Sequence, residues 1–78
     1  MPGPAARPRR RRPIALAALR GFDSAARHLS FTLAATELNL TQSSISRQIA
    51  TLEREVGRAL FERRTRALEL TVAGERLY

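Results

Sequence analysis

Apolar residues recur along this chain at helical spacings and then give way to a short alternating stretch. From residue 41 to 57, Ile45, Ile49, Leu52 and Val56 follow at intervals of four, three and four, which is one buried stripe of an amphipathic helix. Thr41 is a good N-cap for it, and Gly57 stands where a helix commonly ends in a left-handed residue. Ahead of it, Ala34, Ala35 and Leu38 share one face of a shorter helix over 31–38, which Ser30 or Thr32 can cap. Asn39 falls at the turn between the two, where it tolerates a left-handed conformation, and Leu40 is expected to point back into the core. A first helix is predicted from about Ile14 to Leu29, with Leu16, Leu19, Phe22 and Ala26 as its buried side. Gly21 weakens it by roughly 1 kcal/mol relative to Ala. After Gly57 the period changes: Leu60-Phe61-Glu62-Arg63 alternates, as does Leu68-Glu69-Leu70, with Arg64-Thr65-Arg66-Ala67 between them. Two short strands joined by a basic loop predict a β-hairpin.

A short helix, a tight turn and a longer helix make a helix-turn-helix, which sets its second helix in the major groove of DNA. The buried stripe fixes what faces outward. Gln42, Ser43, Ser46 and Arg47 lie off it, near the helix start. Free N–H groups at a helix N-terminus favour phosphate, and Gln and Arg pair with base edges. Ala35, small where two helices cross, and Ile45, ten residues on, suit this packing. The bland alternative is an ordinary helical hairpin whose Ser and Thr residues are solvated caps.

The run from Leu19 to Gly74 resembles the N-terminal DNA-binding domain of LysR-type transcriptional regulators of bacteria. The matching pieces are SFTLAA (30–35), LNLTQSSISRQI (38–49), LE (52–53), Gly57, LFER (60–63), LT (70–71) and AG (73–74). Any one piece is weak; in order and at family spacing they are specific. The run AARHLSFT (25–32) is most similar to the glycine-cleavage activator and β-lactamase regulator subgroup. Val72 departs from the pattern, standing where the family usually has an acidic residue, so no capping-box partner is expected for Thr71. The resemblance implies a mainly α winged helix-turn-helix, three helices plus a two-stranded wing, over 14–70. It implies double-stranded DNA as partner, with Gln42 and Arg47 as base readers and Ser43 as a weaker one. Ser30, Thr32, Thr41, Ser44 and Ser46 are phosphate candidates, and Arg63, Arg64 and Arg66 are wing candidates. It also implies a longer regulator that binds as a homodimer through a linker helix and carries a C-terminal effector domain. Only the start of that linker, 71–78, falls in this chain, which is expected to be largely monomeric, with no small-molecule site.

Composition narrows this further. The 78 residues allow one modest core, burying about 60 per cent of the unfolded surface. The absence of Cys excludes disulfides and thiolate metal sites, which suits the cytoplasm. Net charge is +7, yet the five arginines of MPGPAARPRRRRP (1–13) supply most of it. The remainder carries nine arginines against seven acids. Four prolines and an arginine block predict a disordered arm, either a source of phosphate contacts or a solvated extension. Because no acid precedes Asp23, a transit-peptide reading is also open. Arg58, Arg63, Arg64 and Arg66 are clustered, and Glu37, Glu53, Glu55 and Glu69 are expected to lie elsewhere. Ile14–Leu19 is too short an apolar run to span a membrane. No metal, cofactor or enzymatic role is expected. His28 is the lone histidine, Phe22 and Phe31 read as core, and neither a phosphate loop nor an apolar carboxylate pair is present. The competing class is a protein-interaction module or inactive fragment without specific DNA binding.

Overall fold

The computed structural model describes residues 15–65 and 67–78; the arginine arm, Ile14 and Arg66 lie outside the described residues. Within it, α1 (Leu16–His28), α2 (Phe31–Leu38) and α3 (Gln42–Val56) are followed by β1 (Phe61–Arg63), β2 (Leu68–Leu70) and α4 (Val72–Leu77). The predicted winged helix-turn-helix is present, with every element within two residues of its expected bounds.

Local chemistry sets the boundaries. Ser30 Oγ accepts the Leu33 N–H at 3.0 Å and so is the cap of α2; Thr41 Oγ1 accepts the Ser44 N–H at 3.1 Å and caps α3. Asn39 (φ 61°) and Gly57 (φ 80°) end their helices in the left-handed region as expected. Leu29 does the same for α1 at φ 49°, with no glycine or asparagine to announce it. A leucine there is disfavoured by roughly 1–2 kcal/mol. The reversal it makes leaves only Leu29 and Ser30 between α1 and α2, which holds those helices close.

The core gathers Ala18, Phe22, Ala25 and Ala26 from α1, Phe31, Ala34 and Ala35 from α2, Ile45, Ile49 and Leu52 from α3, and Leu60 and Phe61. Three expectations are corrected here. Leu16 and Leu19 do not form the buried side of α1; they are 66% and 37% exposed. The buried arc follows Ala18, Phe22, Ala25 and Ala26, and at 3.6 residues per turn Leu16 lies roughly 160° around from Ala18. Small residues occupy that arc because α1 crosses both neighbours closely, and Ser24 is buried among them. Leu40 is exposed at the margin beside Ala17, Arg20 and Leu38, although its N–H closes the turn onto the Ala35 carbonyl at 2.8 Å. Val56 keeps the face of Ile49 but lies beyond the reach of α1 and α2, so it too is exposed.

The wing is a two-stranded antiparallel sheet with Phe61 opposite Leu70 and Arg63 opposite Leu68. Phe61 enters the helical core, its ring centroid 5.6 Å from that of Phe22 and 5.4 Å, edge-on, from that of Phe31. Glu53 of α3 accepts the backbone N–H groups of Leu60 (2.8 Å) and Phe61 (3.4 Å), which ties the strand's entry to the helix. Thr71 closes the exit. Its N–H reaches the Leu60 carbonyl at 3.0 Å, and its hydroxyl donates to the Ala59 carbonyl at 2.6 Å. The same hydroxyl accepts the Gly74 N–H at 3.0 Å, so Thr71 caps α4 without the acid that Val72 replaces. Gly74 is there because α4 presses on the wing's root: a Cβ would collide with the Leu60 carbonyl and lie 2.8 Å from Leu70 Cδ2.

Candidate nucleic-acid interface

The stripe of Ile45, Ile49 and Leu52 is buried, so the opposite face of α3 is turned to solvent. Gln42, Ser43 and Arg47 are exposed on its first two turns; Ser44 and Ser46 are half-buried. Ser43 and Arg47 stand one turn apart on one face, and Arg47 forms no ion pair among the described residues. The first turn of α3 carries no acid, so the partial positive charge of its N-terminus is not cancelled locally.

The hydroxyls divide into those committed to the fold and those that are not. Thr41 both accepts the Ser44 N–H and donates to Ser44 Oγ at 3.0 Å, which leaves the Ser44 proton as the free donor of that pair. The Ser30 oxygen serves its cap and keeps its own proton for another acceptor. Thr32 donates to the Gln42 side-chain oxygen at 3.2 Å, joining the start of α2 to the start of α3. Ser46 sits in a hollow shared with Phe31, Phe61 and Arg63.

The wing is brought alongside. A shallow groove runs between it and the starts of α2 and α3, bounded by Ser30, Phe31, Gln42, Arg63 and Arg64. The Arg63 guanidinium lies 4.8 Å from the Phe31 ring centroid, a cation–π contact that places the charge at the groove wall. Arg64 closes the hairpin through its N–H to the Ala67 carbonyl at 2.7 Å. Its side chain is also 3.4 Å from Glu62 and 3.3 Å from Glu69. This corrects the expectation that Glu69 lies away from the basic loop. The register sets Glu69 opposite Glu62, and Arg64 lies within reach of both carboxylates. Exposed pairs of this kind are worth about 0–1 kcal/mol, so the arginine can exchange them for an incoming anion.

Glu37 and Asp23 are engaged by α1 and α2. Glu37 accepts from Ser24 Oγ, from Arg27 Nη2 at 2.9 Å and is 3.1 Å from His28 Nε2; Arg27 also bonds Asp23 at 3.1 Å. The Ser24 hydroxyl first, and Arg27 second, lower the Glu37 carboxyl from its ordinary 4.5 to about 2, and the same carboxylate raises Arg27. His28 is thus a packing partner between α1 and α2. Sequence reading missed both this role of Glu37 and that of Glu53, because their partners are ten or so residues away on other elements. Arg66, the third wing candidate, lies outside the described residues.

Comparison with known proteins identifies the arrangement. Residues 16–75 match the family model described as bacterial regulatory helix-turn-helix protein, lysR family. The chain is 53% identical over 64 residues to the HTH-type transcriptional activator AmpR of Citrobacter freundii, covering 82% of this chain and 22% of that protein. It is 58% identical over 60 residues to the glycine cleavage system transcriptional activator of Escherichia coli K12, covering 77% of this chain and 20% of that protein. The chain therefore spans about a fifth of the length of these curated relatives, which are transcriptional regulators and not enzymes. Among solved structures, Corynebacterium glutamicum OxyR (C206 mutant) superposes with a TM-score of 0.82 at 40% identity, over 87% of this chain and 22% of that one. The BenM DNA-binding domain, in complex with its catB site 1 DNA, superposes with a TM-score of 0.78 at 41% identity, over 82% of this chain and 72% of that one. The glycine-cleavage activator that AARHLSFT resembles is among these relatives. The chain belongs to the LysR family of bacterial helix-turn-helix regulators.

Proposed function

We propose that residues 14–70 bind double-stranded DNA by sequence, with the start of α3 in the major groove and the wing on the neighbouring backbone. The observation that carries this is the pairing of two faces on one helix. Ile45, Ile49 and Leu52 fix α3 in the core, and Gln42, Ser43 and Arg47 are presented on its exposed, acid-free first turns. Gln42 and Arg47 have the forked donors and acceptors that read base edges, and Ser43 adds a single hydroxyl. Ser30, Thr32, Thr41, Ser44 and Ser46, with the helix N-terminus, hold phosphate; the protons of Ser30 and Ser44 are the best placed to donate. Arg63, Arg64 and Arg66 follow the backbone beside the groove or enter a narrow minor groove.

By likeness to its relatives, the chain is read as the regulating end of a transcription factor, with 71–78 beginning a linker helix through which two copies bind two-fold-related half-sites. The basic run 1–13, an additional source of phosphate attraction, lies outside the described residues. The chain works in the cytoplasm, at the nucleoid; among the described residues no helix is long and apolar enough to cross a membrane. The double substitution Gln42→Ala/Arg47→Ala tests the assignment. Site preference is expected to vanish while the circular-dichroism spectrum and melting stay as they were. Unchanged preference and affinity would move the function off α3, to the alternative of an interaction module.

A further inference from the structure

We infer that Thr32 is a specificity-determining residue that acts through Gln42 by fixing which end of its amide meets DNA. The inference rests on the proposed base-reading role of Gln42. Thr32 Oγ1 lies 3.2 Å from Gln42 Oε1, and because a carboxamide oxygen only accepts, the hydroxyl must be the donor. The two residues come from different helices. Thr32 is in the first turn of α2, whose start Ser30 fixes by capping, and Gln42 is the first residue of α3, whose start Thr41 fixes. Both anchoring points are therefore rigid, and the bond between them orients a side chain that otherwise rotates freely at three torsions. Both residues are exposed, so the bond contributes to folding no more than one ordinary solvated hydrogen bond does.

The orientation has a chemical consequence. With its oxygen turned to Thr32, Gln42 presents its nitrogen, and so two N–H donors, outward. Adenine is read by a glutamine whose oxygen accepts from N6 while its nitrogen donates to N7. That mode swings the oxygen toward the base, away from Thr32; its second lone pair stays free in the Thr32 bond, so the bond disfavours this pose without blocking it. Guanine, with acceptors at N7 and O6, and thymine, with one at O4, need only donors. Gln42 in this chain therefore selects guanine or thymine over adenine at the base it faces, and the selectivity belongs to the Thr32–Gln42 pair. Thr32 is a positioning residue here, in addition to any phosphate it touches.

The test uses the 78-residue chain against a randomised duplex pool, with the bound fraction sequenced for wild type, Gln42→Ala, Thr32→Val and Thr32→Ser. The base pair whose preference disappears in Gln42→Ala is the one that Gln42 faces. At that pair, wild type and Thr32→Ser are expected to prefer guanine or thymine. Thr32→Val, which keeps the branched shape and loses only the hydroxyl, is expected to raise adenine about three- to tenfold relative to them, the worth of one hydrogen bond. Direct titration of the four single-base duplexes with each variant checks the same ratios. A Thr32→Val chain that binds all four duplexes more weakly by one common factor would overturn the inference, since that is the mark of a phosphate contact alone. A wild-type preference for adenine at that pair would overturn it too. Should Gln42→Ala erase no preference anywhere, the base-reading role itself fails and this inference falls with it, a result separate from either of the others.

Discussion

The three-helix part and the wing of this molecule are held in place by different forces. Twelve buried apolar residues form the core, and ten of them come from α1, α2 and α3. The wing contributes Leu60 and Phe61 to that core, rests the half-buried Leu68 and Leu70 against it, and adds polar tethers: Glu53 to two backbone N–H groups, Thr71 to the Ala59 carbonyl, and Arg63 over Phe31. Apolar burial is non-directional and strong in sum, whereas each tether is directional and singly weak. The helices therefore set the fold, and the tethers set where the wing's charge stands relative to α3. Loss of a core contact is expected to remove both parts together; loss of a tether should loosen the wing and leave the helices standing.

The largest effect should come from the core. Ile45→Ala removes a fully buried side chain at the crossing of all three helices and is expected to cost about 2–5 kcal/mol, enough to unfold much of a domain this small. Urea denaturation followed by circular dichroism measures it, and a loss well under 1 kcal/mol would contradict the packing described. Gly74→Ala comes next, at about 1–3 kcal/mol, because the new methyl must displace the Leu60 carbonyl or the whole of α4. Amide shift changes confined to 59–61 and 70–78 would agree with the division, and shifts spread through α1 would break it.

Glu53→Ala is expected to cost about 1–2 kcal/mol by leaving the Leu60 N–H without an acceptor. Its sharper mark is faster hydrogen exchange at Leu60 and Phe61 with little change in α2. The smallest effect concerns a polar tether inside the helical part, between α1 and α2. The folded-state pKa of Glu37, about 2, lies below its ordinary 4.5. The stability it adds is thus present above the ordinary value and is lost as pH falls from about 4.5 towards 2. Melting temperature should drop more steeply through that window in wild type than in Glu37→Gln; parallel curves would show that the carboxylate is not tied to Ser24 and Arg27.

What could be read from the sequence follows the same division. The period of Ile45, Ile49 and Leu52, the caps Thr41 and Ser30, and the left-handed Asn39 and Gly57 are local signals, and each corresponds to its element. Leu29 carried no such signal, because its conformation is imposed by the packing of α1 on α2 and not by its own preference. Leucine pattern misled for α1, where close helix crossing favours alanine and turns Leu16 and Leu19 outward. At the candidate interface, the outward set Gln42, Ser43 and Arg47 was legible from the stripe alone. The Thr32–Gln42 bond, the seat of Arg63 on Phe31 and the Arg64–Glu69 pair were not, since each joins residues on different elements.

Base reading by α3, with the arginines adding attraction, is separated from phosphate attraction alone by fluorescence anisotropy. The chain is titrated with a pool-selected duplex and with its scrambled counterpart across a salt series. A preference for the selected duplex is expected to persist as salt rises, while both affinities fall. Equal affinity for the two duplexes, collapsing together with salt, would contradict it and leave only phosphate attraction from the basic arm and wing.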